Sequence, residues 1–436
     1  MVIRNFVSEC AACGFLLVAL ICCKFTQAQG QKKTGSGMMP NQWIDSRTGH
    51  QIVKLLHYAP GNEQDPNPAL KGDFKSFYFH NNPFVGDLMI FYGTTFNEKD
   101  DPAAQKAKRA DGDARPYSRQ IYTYNFKTGK VSQLTHAAGM MSGEIVSKVN
   151  HEAYYQIKDT VFGVEVKTGA TRVVFVFPKD YSGSITTVNA DGSLLGGVHS
   201  TKEEAAIYKK YPGKHDYFNR IYEARLPRTL LTISLKTGQL QKVFSDSAWL
   251  NHVQFSPTDP NLLMFCHEGP WHKVDRIWTI NLSDTQPPVL IHKRSMEREI
   301  AGHEWFSSDG KFIWFDLQMP RGEKFLVGGV NLLTQKETRF NLTRDEWSVH
   351  YTSAWDQKTF AGDGGGPRSV ANAKDGKWIY LFRPAGDRFV SEKLVDMSAH
   401  DYQLEPNLHY SPDGKWIIFR ANFEGHSDIY AARIQK

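Results

Sequence analysis

The chain has little cysteine where a fold could use it. Of its five cysteines, Cys10, Cys13, Cys22 and Cys23 lie in the first 28 residues and only Cys266 lies beyond them. A chain processed after Ala28 therefore has no intramolecular disulfide. Long hydrophobic runs are missing too: the apolar stretch from Ala11 to Cys23 is shorter than the roughly 20 residues of a membrane-spanning helix, so no stable membrane span is expected. That stretch follows the plan of a signal peptide, with Arg4 before it and Thr26-Gln27-Ala28 as a small-x-small cleavage site before Gln29. Residues 1–28 are read as that signal, residues 29–40 as a flexible leader and residues 41–436 as a single domain, exported to the periplasm or secreted. Ile21 and Cys22, which precede the last two leader cysteines, do not fit a lipid-anchor signal.

No sign of charge dominates. The formal net charge is +6 and becomes +5 once Arg4, Lys24 and Glu9 leave with the leader. Helix-turn-helix, zinc-finger and RNP patterns are absent, and an exported protein rarely meets nucleic acid, so no nucleic-acid partner is expected. Such a field suits an acidic polysaccharide, although a surface with no particular partner can carry the same charge. There is no His-Glu-x-x-His motif, no pair of Cys-x-x-Cys motifs, no phosphate loop and no Gly-x-Ser-x-Gly elbow. What is present is aromatic residue at 13%, with 35 Gly and 20 Pro to supply turns. Hydrophobic residue at 41% and a mean hydropathy of -0.45 exclude both a disordered chain and a polytopic membrane protein.

Two phrases recur. One is an alternating apolar strand that ends in Lys-Thr-Gly at Gly129, Gly169 and Gly238 and continues into a second strand. It reads as a hairpin with the glycine at positive φ. The other has the form aromatic-Ser-Pro-Asp-Gly-Lys followed by an apolar strand, fullest at Tyr410 to Phe419 and at Phe306 to Phe315. Together they make a four-stranded unit of the size of a propeller blade, roughly 40 to 50 residues. Units fall near 75–136, 137–178, 180–246, 248–293, 298–344 and 346–397, while 400–436 supplies only three strands. Gln51 to His57 is expected to pair with Asp428 to Ile434 and complete the last unit. The fold class is thus all-β, a seven-bladed β-propeller with its ring closed by an N-terminal strand, and six or eight blades stay compatible with the irregular stretch 345–397. Helical composition is confined to 101–110 and 201–211, inside loop insertions.

In a propeller the innermost strands face a central channel, so polar residues just before the Asp-Gly turns are the first candidates for chemistry. His252, His303, His350 and His409 each fall there, and His80 lies in the matching part of the first unit. Any one alone is equally a packing residue; the recurrence is what singles them out. Glu405, Asn407 and His409 alternate along one strand and share a face, where they could hold a divalent ion such as Mn²⁺ or Ca²⁺ or form a hydrogen-bonded polar strand. Gly362-Asp363-Gly364-Gly365-Gly366 follows no βα unit and reads as a loop.

The stretch Phe265-Cys266-His267-Glu268-Gly269-Pro270 with Val274-Asp275 and Trp278 resembles the signature of the oligogalacturonate lyase family, polysaccharide lyase family 22. The order of motifs around it agrees: Trp249 to His252 before it, then Gly302 to Trp305, Ser348 to His350, Ala361 to Gly364 and the last Ser-Pro-Asp-Gly. The resemblance implies a seven-bladed propeller that cleaves uronic-acid chains by β-elimination, with an acidic oligosaccharide as its substrate. It puts His252 in the place of the base and His303 in that of a manganese ligand. It also gives an arginine of the third-unit insertion, Arg228 or else Arg225, the task of meeting the substrate. His80, His267, His350 and His409 are the remaining candidate sugar contacts. One departure stands out: where the family has a His-Pro-His metal motif, this chain has Glu405-Pro406-Asn407. Either the metal site is oxygen-rich, with His303, Glu405 and Asn407 as ligands, or these residues bind sugar hydroxyls, or the metal is absent. The loss of that pair also leaves open a non-catalytic binding propeller of the cell envelope. A hydrolase or epimerase would need two facing carboxylates, for which Glu304 and Glu405 are the available pair.

Overall fold

The protein is described by a computed structural model, which covers residues 39–57, 72–95 and 119–436. The signal and leader assignments, save for the last residues of the leader, and the helical segment at 101–110 lie outside the described residues. The rest is strand-rich, with the helices confined to one insertion and two short 3₁₀ turns.

Six hydrogen-bonded sheets account for the described strands. Three are four-stranded antiparallel meanders, starting at Ser142–Ser147, Ser182–Val188 and Trp249–Phe255. A fourth, eight-stranded sheet consists of two four-stranded halves, starting at Ile300–Phe306 and Tyr351–Ser353, joined by one parallel bridge between Asn341 and Arg388. The fifth contains Gly72–Lys75, Leu88–Thr95, Gln120–Asn125 and Val131–Gln133. In the sixth, Gln51–Lys54 pairs with Asp428–Arg433 through Ile52–Ala432 and Val53–Ala431, the partner expected from the sequence.

The recurring phrases have a local physical cause. In Phe306 to Phe312 the Ser307 hydroxyl donates to Asp309 at 2.6 Å, Asp309 accepts from the Lys311 N–H at 3.1 Å, and the Phe312 N–H donates back to Ser307 at 2.9 Å. Ser411, Asp413, Lys415 and Trp416 repeat that set with bonds of 2.6, 3.1 and 3.1 Å. Serine and aspartate thus satisfy the turn's orphan N–H groups, and Gly310 and Gly414, both at φ 69°, take the left-handed position. Each apolar strand then buries both faces against neighbouring sheets. Ile313, Phe315 and Leu317, for example, pack with Met264 and Ile277 of the preceding sheet.

The insertion between Ser200 and Arg228 holds two helices rather than the one expected: α1 (Lys202–Lys210), capped by Thr201, and α2 (Lys214–Ala224). α2 carries three aromatic residues, Tyr217, Phe218 and Tyr222, of modest helix propensity. Packing makes it a helix: Tyr217 meets Tyr208 of α1 with ring centroids 4.8 Å apart, and Phe218 lies 5.2 Å from Trp249.

Ile52 is wholly buried among residues that include Ile417, Phe419 and Tyr430. Ile52→Ala should therefore cost about 2–5 kcal/mol. The difference should appear in urea unfolding, with an unchanged dependence on denaturant.

Candidate functional site

Three residues of the site share left-handed backbone. The first strand of several sheets carries a bulge where its register slips, between Asn251 and Gln254 and between Gly302 and Trp305 among others. His252 and His303 sit in these bulges at φ 47° and 48°, and Asn407 adopts φ 49° before its strand His409–Tyr410. Left-handed backbone at non-glycine residues is uncommon and recurs at functional sites. Here it turns the side chain off the ordinary alternation of the strand.

His252 is half-open, with 32% of its side chain accessible, and its Nε2 lies 3.1 Å from Glu268 Oε2. The other Glu268 oxygen accepts from Arg276 Nη1 at 2.8 Å, from Trp271 Nε1 at 3.1 Å and from the Gly269 N–H at 3.2 Å. Arg276 is buried and also donates through Nε to Glu304 at 3.0 Å. Burial alone would raise the Glu268 carboxyl, but the Arg276 guanidinium and the His252 contact hold it well below the usual carboxylate range. Trp271 in turn lies over Gly302, where an added Cβ would stand 2.4 Å from the indole. Only glycine lets the ring seat there.

Close by, His350 is fixed on three sides. Its Nδ1 is 2.9 Å from Asp363 Oδ2, its Nε2 is 3.2 Å from the Tyr78 hydroxyl, and its ring stacks on Phe79 at 4.7 Å. Asp363 comes from the glycine-rich stretch read from sequence as a plain loop. His303 lies 4.6 Å from the His350 ring and 4.8 Å from Trp271, and its buried Nδ1 has no hydrogen-bond partner among the described residues. Burial and then the neighbouring His350 keep its pKa well below 6.5, so the ring is neutral.

The structure separates the other predicted residues. Asn407 is buried, its Oδ1 accepting from the Phe79 N–H at 3.0 Å and its Nδ2 donating to the Glu405 carbonyl at 3.2 Å. Both ends of its amide are closed on backbone, so it does not fit a ligand. Glu405 is partly exposed, with Oε2 3.9 Å from His350 Nε2. Arg228, expected to meet substrate, is instead buried in a two-pronged pair with Glu204 of α1, and its Nη1 donates to the Leu250 carbonyl at 2.8 Å. Arg225 is free to do so: it ends α2 in the left-handed conformation and lines a cavity of about 230 Å³ with Tyr222, His267, Lys273 and Glu268. His267 belongs to that cavity, stacked on Trp278 at 4.8 Å, on the opposite strand face from Cys266 and Glu268. His80 and His409 line a second cavity of about 280 Å³ toward the Asp-Gly turns, with Asn82, Ser256 and Trp355. Glu304 is bound to Arg276, which removes it as one of two free facing carboxylates.

The orphaned Nδ1 of His303 is an unsatisfied atom that a divalent cation could take, whereas the His350 nitrogens already face Asp363 and Tyr78, with Glu405 Oε2 at 3.9 Å from Nε2. Among the described residues, two clusters bring three donors within 4.8 Å of one another, His252 with Cys266 and Glu268, and Glu424 with His426 and Asp428. Each already holds a cation of the protein. Arg276 bonds Glu268, and the Lys54 ammonium bonds both Glu424 and Asp428.

His409 donates to the Phe77 carbonyl and its pKa is pushed down to about 4 by burial, as is that of buried His400. An unfolded histidine titrates near 6.5. Stability from these neutral rings is complete above about 6.5 and is lost as pH falls toward about 4, by up to about 1.4 kcal/mol per pH unit for each ring. Chemical unfolding at pH 7 and pH 5 should show the loss, and His409→Gln, which keeps a donor for Phe77, should reduce it.

Comparison with known proteins bears on the family and the fold. The oligogalacturonate lyase family matches residues 91–436. The oligogalacturonide lyase of Pectobacterium atrosepticum is 24% identical over 331 residues, 72% of this chain and 82% of its own. A solved oligogalacturonate lyase in complex with manganese superposes with a TM-score of 0.70 at 21% identity, over 91% of this chain and 96% of that one. A β-propeller domain from Myceliophteria thermophila aligns with a TM-score of 0.50 at 9% identity, over 83% and 98%. The fold is that of a β-propeller, and the chain belongs to the oligogalacturonate lyase family.

Proposed function

We propose that the protein is an exported lyase that cleaves uronate-containing oligosaccharides, oligogalacturonate or a related glucuronide, by β-elimination from a closed seven-bladed propeller. Support for the ring comes from the core clusters. Seven of them join successive four-stranded units in cyclic order, the last being Ile418 and Ile429 with Phe74, Phe91 and Tyr122.

The observation that carries the function is the half-open His252 imidazole on its Glu268 support. In the proposed reaction His252 takes the C5 proton of a uronate, the electron pair forms the C4–C5 double bond, and the C4–O4 bond breaks with O4 taking a proton from water. A neutral imidazole suits that base. The acidity of the C5–H depends on neutralising the adjacent carboxylate, for which Arg225 and Lys273 are the accessible cations in the adjoining cavity. His303, His350 and Glu405 are the residues that would hold a divalent cation; when bound, it supplies the same neutralisation. The buried Arg228–Glu204 pair anchors α1 and hence the insertion that carries Arg225.

Incubation with oligogalacturonate and glucuronides, followed by ultraviolet absorbance of the unsaturated product, should give a signal. Silence on every uronide, with and without Mn²⁺ or Ca²⁺, would refute the reading. His252→Ala should abolish turnover, and Arg225→Ala should raise KM for charged substrates. The mature protein should begin at Gln29, as read by mass spectrometry of the exported chain.

A further inference from the structure

We propose that Glu268 is a positioning residue that fixes His252 in the tautomer with its proton on Nε2, so that Nδ1 is the atom that receives the substrate proton. The inference rests on the reading of His252 as the base. The Glu268 oxygens have unequal surroundings. Oε1 takes three donors, from Arg276, Trp271 and the Gly269 backbone, and Oε2 is left to face His252 Nε2 at 3.1 Å. A carboxylate has only acceptors to offer, so a neutral imidazole must bring its N–H to that contact. Nδ1 then keeps its lone pair. The arrangement is stiff because Arg276 is itself held by Glu304, and because Glu268, Arg276 and Glu304 are all buried. It also gives the Cys-His-Glu-Gly-Pro sequence a physical content. The glutamate contacts His252, the histidine stacks on Trp278 in the adjoining cavity, and Gly269 donates its N–H while its φ of 146° is one that glycine adopts readily.

Glu268→Gln reverses the polarity of the contact while keeping the side chain's size. Three donors already converge on Oε1, so the glutamine carbonyl must take that place and its NH₂ must face His252. Nε2 becomes an acceptor and the ring proton moves to Nδ1. With the amide in place, kcat should fall by on the order of 10²- to 10⁴-fold, in line with other histidine bases forced into the wrong tautomer, while KM changes by no more than about threefold. Glu268→Asp, which keeps an acceptor, should retain the Nε2–H tautomer and recover at least about tenfold of that loss.

The tautomer is read directly by ¹⁵N NMR of histidine-labelled full-length protein near neutral pH, with circular dichroism to verify folding. An Nδ1–H tautomer in the unsubstituted protein overturns the proposal. So does a Gln variant that turns over at close to the original rate, or a folded Asp variant that keeps Nε2–H and remains as slow as the Gln variant. The NMR result does not depend on turnover. A normal tautomer switch in a protein whose His252→Ala variant is fully active would therefore fault the assignment of the base and leave the Glu268 contact standing.

Discussion

One guanidinium ties the site together. Arg276, buried with 2% of its surface accessible, bridges Glu268 on the strand Leu262–Glu268 and Glu304 on the strand Ile300–Phe306. Those carboxylates belong to neighbouring sheets, one supporting His252 and the other next in sequence to His303. Removing three charges from water is expensive, and a buried ion group is weak evidence of stability by itself. Its role here is geometric: with Arg276 in place, each carboxylate has a fixed direction and a fixed charge. Without it, Glu268 would be a buried anion beside a single imidazole, and burial would favour its protonation.

The left-handed bulges act with that bridge. A regular strand would alternate its side chains between its two faces, and a residue could reach the channel only in register with its neighbours. By breaking register within these two first strands, the fold frees His252 and His303 to turn while Gln254 and Trp305 resume the ladder with Met264 and Trp314. Burial then sets the protonation. His303 and His409 are held neutral by desolvation, whereas His252 stays accessible enough to meet a ligand.

Hairpins and turns could be read from the sequence because their causes are local: alternation, a Ser-Asp pair that satisfies turn N–H groups, and a glycine at positive φ. The blade limits, the partner of Gln51–Lys54 and the histidine positions follow from that periodicity. α2 escaped because its helicity comes from Tyr208, Tyr217, Phe218 and Trp249 meeting in space, which no window of sequence contains. Arg228 and Arg225 are three residues apart and differ in no local property, yet one lies beneath Glu204 and the other opens on a cavity. Asp363 and Tyr78 were missed for a related reason. They meet His350 across 13 and 272 residues of chain, separations that no local pattern spans.

The exchange of a His-Pro-His motif for Glu405-Pro406-Asn407 has unequal consequences at its two positions. Asn407 satisfies the Phe79 N–H with its side-chain oxygen, so it ties the last unit to the first rather than presenting a ligand. Glu405 is different, because it brings a carboxylate near His350, which already carries Asp363 on its other nitrogen. An anionic sugar approaching Tyr78 and His350 meets Glu405 as a like charge, and that repulsion is strong wherever water is excluded. Two arrangements would relieve it: a divalent cation held by these residues, or a substrate whose carboxylate lies toward Arg225 and Lys273. Only in the second, with no cation beside it, would Glu405 disfavour a carboxylate placed next to it and so restrict which end of a uronate chain can face His350.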